Sequence, residues 1–264
     1  MSRLPPFDAP WLKYNRAGKH FRDLQSEVNA FWNRDPVGTT FEETEDYQTS
    51  GMHRIVATVN EFFPLPISSI IGDLVHNLRS ALDLMACDLV RLNGQSTKGV
   101  YFPFCNSAAD LQQAIKDKNF DRASPAAIAE VIKLAPYKGG NDALRAIHDL
   151  DIQDKHRAII PAILAVRTPD MVIKMGEKEN QVPGFESTVT NKRQVLVVFP
   201  GIFNQFMLGK KVPCELAPVF ATGDPYEGHH VVKTLHDFTD LVRTIVDKFE
   251  LLSVGKNRNT ANNP

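Results

Sequence analysis

The sequence predicts an α+β protein with a helical core packed with a small antiparallel sheet. Helical patterns dominate the first part of the chain, short runs rich in Val, Ile and Leu follow between 158 and 221, and one amphipathic helix closes it. Strands that follow helices, rather than alternate with them, favour an antiparallel sheet. Because no linker rich in Gly, Ser or Pro separates the two parts, we predict a single α+β domain over 1–254 and a disordered, Asn-rich tail over 255–264.

The N-terminal elements follow from hydrophobic periodicity and from helix breakers. Three prolines within residues 1–10 predict an irregular arm, and apolar residues three or four apart predict a helix over 19–32. The acidic, polar segment 38–47 is predicted to be a loop, and 48–60 to contain a strand. The two prolines that follow must end that strand, because proline lacks the N–H that a sheet needs.

Capping residues mark the start of the later helices. Ser68 or Ser69, Ser124 and Asn141 each precede a helical pattern, and proline follows Ser124 at the favoured first position. Pro161 indicates that the strand containing it lies at a sheet edge or carries a bulge. The remaining predicted elements are helices over 68–93, 108–118, 125–135, 141–157 and 235–252, and strands over 158–167, 171–175, 194–199 and 214–221.

Composition and charge exclude several classes of protein. The net charge of −1 gives no electrostatic case for wrapping duplex DNA or for binding an anionic membrane surface. The three cysteines are widely spaced and odd in number, which is typical of free thiols in a reducing compartment. The first residues lack the apolar run of a signal peptide, and no run approaches the ~20 apolar residues of a membrane span. We therefore expect a cytoplasmic protein.

Two of the predicted helices carry unusual polar stripes. On a helical wheel, the apolar side chains of helix 68–93 cover one arc and a set of polar residues covers the opposite arc. Helix 141–157 has the same division. His, Asn, Asp and Arg are weaker helix formers than the Glu and Lys of ordinary exposed faces, which suggests that their side chains are kept for hydrogen bonds or chemistry. The stripes comprise Asp73, His76, Asn77, Ser80, Asp83 and Cys87 in the first helix and Asn141, Arg145, His148, Lys155 and His156 in the second.

These stripes predict one shared site. Imidazoles titrate near neutrality, so His76 and His148 are the candidate general base and acid. Asp154 lies on the apolar side of its helix, where an unpaired carboxylate is costly, and Arg79 is its expected partner. In this hypothesis the site acts on a phosphodiester or a nucleotide phosphate. Arg79, Lys155 and Arg157 would bind phosphate, Asn77 and His156 would contact the substrate, and Asp83 and Asp154 would orient the other groups.

Three alternatives stay open from the residues. The carboxylate and histidine pairs Asp73/His76 and His148/Asp151 have a spacing that helix bundles use for metals, but the nearby cations repel a metal ion and we expect none. The charged residues can instead form a structural ion-pair lattice in a non-catalytic interaction or ligand-binding protein, or they can be ordinary solvated faces. No dinucleotide, Walker A, G-x-S-x-G or H-E-x-x-H motif is present, so no cofactor is expected.

Both helices resemble segments of a family of uncharacterised bacterial and phage proteins. The first segment, Ile71–Asp83, matches the pattern I-G-D-x-h-H-N-L-R-S-A-L-D, where h is an apolar residue. The second segment, Ile147–Arg157, ends in D-K-H-R. The order of elements also fits that family. The resemblance implies a bacterial or phage origin but no activity that can be carried over.

A second resemblance is to HEPN-type helical proteins, many of which cleave RNA with a paired Arg-x(4–6)-His motif. It implies HEPN-like helix pairs in the core and a nuclease, with RNA or a nucleotide as partner and a homodimer as a candidate assembly. The first family places a histidine five residues after the arginine that corresponds to Arg79, whereas this chain has Leu84 there. No arginine precedes a histidine at the required spacing, and Arg16 and His20 are one residue short. The resemblance therefore implies that this chain is inactive or uses His76 or His148 instead.

Overall fold

The chain forms two compact units in a computed structural model. The structure describes residues 4–157, 162–175, 178–182, 184–200, 209, 211–221 and 223–260, without the side chains of 156–157, 162–163, 171–175, 178–182 and 254–260. One unit, here called the helical unit, comprises the described residues within Met1–Gln25, Ser68–Ile160 and Val232–Pro264. The other, here called the sheet unit, comprises those within Ser26–Ile67 and Pro161–Val231. A division by contacts does not show whether the two units fold independently, so the single domain over 1–254 stays a prediction.

Seven α-helices lie in the described residues. Two of the predicted caps are formed: Ser124 Oγ accepts the Ala127 N–H at 3.3 Å, and Asn141 Oδ1 accepts the Leu144 N–H at 2.9 Å. None of these helices combines the length and the apolar character that a membrane crossing needs. They are α1 (Asp8–Trp32), α2 (Tyr47–Ser50), α3 (Leu65–Leu92), α4 (Leu111–Asp117), α5 (Pro125–Leu134), α6 (Asp142–Arg157) and α7 (Val231–Thr260).

Every strand pair that the structure describes is antiparallel, so the predicted α+β class with an antiparallel sheet is confirmed. Two three-stranded sheets have the orders β1-β2-β7 and β6-β3-β8, and β4 pairs with β5. Apolar side chains of both three-stranded sheets, among them Val37, Ala57, Leu164 and Val189, join in one cluster with Phe31 of α1. The strands are β1 (Val37–Glu43), β2 (Met52–Val59), β3 (Ala162–Thr168), β4 (Met171–Met175), β5 (Lys178–Val182), β6 (Phe185–Val189), β7 (Arg193–Pro200) and β8 (Glu215–Phe220).

Several predicted boundaries were wrong. Helix α1 begins at Asp8 rather than near 19, because a proline in the first turn removes only an N–H that has no partner inside the helix. The predicted loop 38–47 contains β1, whose Val37, Thr39 and Phe41 are buried. Strand pairing with β2 and burial of alternate residues outweigh the acidic residues that face outward. Strands β5 and β6 were not predicted, since β5 has the polar sequence KENQV.

The edge position predicted for the strand after Pro161 was also wrong. Strand β3 is the central strand of its sheet in the described residues, and Pro161 itself, with the predicted bulge, lies outside them. Proline at a sheet edge occurs instead in β8, where Pro218 lies opposite Leu164. Helix α7 reaches Thr260 and so enters the segment 255–264, because no proline stops it before the last residue. The disordered tail stays a prediction, and 261–264 lie outside the described residues.

Candidate functional site

Helices α3 and α6 run antiparallel and place the two predicted stripes against each other. Their contacts pair residues in reverse order: Gly72 lies against Asp154, His76 contacts Asp151, and Arg79 contacts His148. Each step of three or four residues along α3 is matched by a step of three back along α6. The contacts fall into two groups that differ in exposure.

The first group, here called the Asp151 cluster, consists of His76, Ser80, Asp151, Asp154 and Lys155. The Asp151 side chain is 5% exposed, and each of its two carboxylate oxygens accepts a hydrogen bond. His76 Nδ1 lies 2.8 Å from its Oδ1, and Lys155 Nζ donates to its Oδ2 at 2.6 Å. The side chains of His76 and Lys155 are 44% and 52% exposed, so a buried carboxylate holds two groups that solvent can reach.

Asp151 determines which nitrogen of the neutral His76 ring carries the proton. An ionised carboxylate can only accept, so His76 donates from Nδ1 and the lone pair of the neutral ring lies on Nε2. Ser80 Oγ lies 3.4 Å from that nitrogen and shows that a hydroxyl can approach it. This order of hydroxyl, imidazole and carboxylate is the arrangement by which proteins position a histidine as a general base.

Asp154 adds a second carboxylate to the Asp151 cluster. Its side chain lies directly over Gly72, where an added Cβ would collide with Asp154 Oδ1. Burial raises the pKa of Asp154, and the negative charges of Asp151 and Asp73 raise it further. Asp154 therefore keeps its proton to a higher pH than an ordinary aspartate does.

The second group, here called the Arg79 cluster, consists of Arg79, Asp83, Phe102, Phe104 and His148. The Arg79 guanidinium forms an ion pair with Asp83, and these side chains are 9% and 25% exposed. Asp83 Oδ1 also accepts the backbone N–H of Phe102 at 2.8 Å. The guanidinium carbon lies 4.5 Å from the centre of the Phe104 ring, a distance that favours cation–π attraction.

His148 completes the Arg79 cluster as a neutral ring. Arg79 Nε donates to His148 Nδ1 at 3.2 Å, so that nitrogen must carry a lone pair. The ring stacks on Phe104 with 4.7 Å between centroids and an interplanar angle of 7°. Burial, together with the positive charges of Arg79 and Arg145, lowers the pKa of His148 to about 4. Such a ring is an acceptor near neutral pH and a poor proton shuttle.

The structure brings together most of the predicted site residues, with different partners. His76 and His148 lie on facing helices, as predicted, but they contact Asp151 and Arg79 respectively. The predicted pairing of Asp154 with Arg79 is wrong, because the guanidinium is already held by Asp83, four residues along the same helix. The side chains of His156 and Arg157 lie outside the described residues.

Asn77 lies on a different face and belongs to a groove between α1 and α3. Its Nδ2 donates to the Asp73 carbonyl at 2.7 Å, and Lys13 Nζ donates to its Oδ1 at 3.5 Å. The groove has a volume of about 460 Å³. Its lining residues are Ala9, Leu12, Lys13, Arg16 and His20 from α1 and Asp73, Asn77 and Leu84 from α3.

Sequence reasoning gave Asp151 no role in the catalytic site, although two sequence signals point to it. Asp151 stands three residues after His148 and four before Lys155, so its side chain can pair along its own helix. Its partner His76 is 75 residues away in the sequence, and no local pattern predicts that contact. Within the described residues, no three His, Cys, Asp or Glu side chains converge in a way that could hold a metal ion.

Comparisons with known proteins identify no family for this chain. No protein-family model, no curated protein and no solved structure matches the chain. The resemblances to the bacterial and phage family and to HEPN-type proteins therefore stay predictions.

Proposed function

We propose that this protein cleaves RNA by general acid–base catalysis at the Asp151 cluster. The observation that carries the proposal is the buried Asp151 carboxylate, which holds an exposed His76 by Nδ1 and an exposed Lys155 cation beside it. RNA suits such a site because its own 2′-hydroxyl is the nucleophile. The protein then needs only to move protons and to stabilise charge.

Each residue of the Asp151 cluster has a role in the proposed reaction. His76 Nε2 takes the proton from the 2′-hydroxyl, while Asp151 orients the ring and stabilises the imidazolium that forms. Asp154, with its raised pKa, gives a proton to the leaving oxygen. A carboxyl group whose pKa is raised is suited to the role of general acid. The Lys155 ammonium offsets the negative charge that develops on the phosphate oxygens.

The reaction balances without another reactant. The 2′-oxygen forms a bond to phosphorus as its proton passes to His76, and the bond from phosphorus to the 5′-oxygen breaks. The 5′-oxygen takes the proton from Asp154. The products are a 2′,3′-cyclic phosphate and a 5′-hydroxyl end, and His76 and Asp154 then exchange protons with solvent.

Acyl transfer by Ser80 is less well supported by the same geometry. Ser80, His76 and Asp151 have the order of a nucleophile, a base and an orienting carboxylate. Ser80 lies in the interior of α3, however, so its backbone N–H serves the helix and cannot stabilise an oxyanion. An attacking group supplied by the substrate avoids this difficulty.

A non-catalytic role is the second candidate, and the Arg79 cluster favours it. Its ion pair, its cation–π contact and its stacked histidine are all internal contacts of a buried lattice. In that case the Asp151 cluster would be the exposed end of the same lattice. The protein would then bind a ligand or partner without changing it.

Cleavage of an end-labelled single-stranded RNA tests the proposal. We expect His76→Ala to lower the cleavage rate by about 10²–10⁴-fold, the usual effect of removing a general base, with little change in melting temperature. Asp154→Asn should also lower the rate, because the amide keeps the shape but cannot give the proton. His148→Phe is the matched control and should cleave at close to the wild-type rate. The wild-type product should end in a cyclic phosphate.

Three outcomes would contradict the proposal. Cleavage that survives His76→Ala would place the reaction elsewhere, and cleavage of the matching DNA strand would exclude attack by the 2′-hydroxyl. A wild-type protein that leaves RNA intact, while His76→Ala lowers only the melting temperature, would establish the non-catalytic role.

A further inference from the structure

The groove between α1 and α3 carries a concentration of positive charge on a nearly neutral chain. Between Asp8 and Asp23 the sequence contains Lys13, Arg16, Lys19 and Arg22 and no acidic residue, although the whole chain has a net charge of −1. Lys13, Arg16 and His20 follow one another at steps of three and four residues, which places them on one face of α1. All three line the groove.

Most of this charge has no partner in the part of the protein that the structure describes. Among those residues, neither Lys13 nor Arg16 forms a salt bridge, and the polar contact of Lys13 is the long one of 3.5 Å to Asn77 Oδ1. Arg16 is exposed, and the His20 ring is buried at the base of the helix face. An open groove lined by cations without an ion-pair partner is suited to an anionic ligand.

The other groove residues define what kind of anion fits. Leu12 and Leu84 supply an apolar surface, while the Asn77 amide is buried and is held by Lys13 and the Asp73 carbonyl. Among the described lining residues, Asp73 is the one carboxylate, and it is exposed. A chain that presents phosphates at intervals and apolar base faces between them matches this mixture of cations and apolar surface, whereas a small inorganic ion would use only part of it.

The groove and the Asp151 cluster share helix α3. His76 immediately precedes Asn77, and Ser80 and Leu84 are four residues apart on α3. The charge of Asp73 acts on both sides: it opposes the effect of burial on the pKa of His20, and it adds to the effect of burial on the pKa of Asp154. Asp73 therefore lies within electrostatic reach of both the groove residue His20 and Asp154 of the Asp151 cluster.

We infer that the groove between α1 and α3 binds the phosphate backbone of a single-stranded RNA and leads it to His76. The choice of RNA rests on the proposed function. Lys13 and Arg16 contact phosphates, Asn77 holds Lys13 in place, and Leu12 and Leu84 lie under the bases.

Binding of a fluorescent 2′-O-methylated RNA strand tests this inference without cleavage, because the blocked 2′-oxygen cannot attack. Anisotropy titrations over a series of salt concentrations give the dissociation constant and its salt dependence. We expect Lys13→Ala and Arg16→Ala each to weaken binding, and the two substitutions together to raise the dissociation constant on the order of tenfold. Each phosphate that the protein no longer neutralises should lower the slope of log Kd against log salt by about 0.7. Lys19→Ala is the matched control, since Lys19 is an exposed cation on α1 that does not line the groove.

The outcomes separate this inference from the proposed function. Equal losses for Arg16→Ala and Lys19→Ala, or no binding at all, would overturn the groove as a binding site. RNA cleavage that is unchanged in Lys13→Ala and Arg16→Ala would overturn the groove and leave the reaction standing. Binding that depends on Lys13 and Arg16, in a protein that does not cleave unmodified RNA, would support the groove and overturn the cleavage.

Discussion

The Asp151 cluster and the Arg79 cluster are built from the same parts and have different properties. Each joins α3 to α6 and contains a histidine, a carboxylate and a cation. In the Arg79 cluster, the segment that carries Phe102 and Phe104 packs on the charged groups through a backbone N–H and an aromatic face. In the Asp151 cluster only the Asp151 side chain is buried. The comparison shows that residue type alone does not make a histidine reactive, because burial and the partner of each ring nitrogen decide it.

The two histidines illustrate this difference. His76 donates a hydrogen bond from Nδ1 to a carboxylate, so the lone pair lies on Nε2, which a hydroxyl, that of Ser80, approaches in this structure. His148 is held by a guanidinium that donates to it, so protonation of that ring would place two positive groups together. The same side chain is therefore suited to a base in one position and to a fixed acceptor in the other.

The largest expected difference between the clusters is in stability. Asp83→Ala leaves the buried Arg79 guanidinium without its ion pair and should lower the free energy of unfolding by about 3 kcal/mol, as is usual when one partner of a buried pair is removed. Lys155→Ala removes an exposed partner of Asp151, which keeps its hydrogen bond to His76, so the loss should stay below about 1 kcal/mol. Urea unfolding of both variants measures the two values. Equal losses would show that the clusters do not differ in this way.

The second expected difference is in the pH dependence of stability. The pKa of His148 is lowered in the folded protein. Between pH 6.5 and about 4 its ring is therefore protonated in the unfolded chain and neutral in the folded chain. The contribution of His148 is complete above pH 6.5 and decreases as the pH falls, by at most about 1.4 kcal/mol per pH unit. His148→Phe keeps a ring against Phe104 but cannot titrate. Unfolding at pH 7 and pH 5 should therefore show a smaller pH effect in this variant, and an unchanged effect would assign it to other groups.

The smallest expected effect concerns the contact of Gly72 with Asp154. Replacing glycine by alanine inside a helix usually stabilises a protein by up to about 1 kcal/mol. Here the new Cβ would collide with the Asp154 carboxylate, so Gly72→Ala should instead be destabilising, by roughly 1 kcal/mol. In an Asp154→Ala background the collision is gone and the same substitution should be stabilising. A double-mutant cycle from urea unfolding checks this change of sign, and additive effects would mean that the two residues do not touch.

The sequence predicted the presence of most helices of the helical unit because their signals are local, although it placed the starts of α1 and α3 too late. Asn141 and Ser124 cap the helices they were expected to cap, and the apolar spacing between Leu235 and Leu252 lies within α7. Strands in the sheet unit depend on their pairing partners, some of which are far away in the chain, as β7 is from β2. Strand β1 carries acidic residues and was predicted to be a loop, but pairing with β2 makes it a strand.

For the candidate site, the sequence by itself predicted which two helices carry the polar residues and placed His76, Asp83, His148 and Lys155 on their polar stripes. Helical periodicity contains that information, because it determines which side chains lie on one face. Only the tertiary structure decided the pairs: His76 with Asp151, His148 with Arg79, and Asp154 against Gly72. Those pairs depend on the antiparallel register of α3 and α6, and the burial of the Arg79 cluster depends on the Phe102–Phe104 segment that packs on it. Since pairing and burial set the proton affinity of each group, local periodicity located the candidate site, while the tertiary contacts assigned the roles within it.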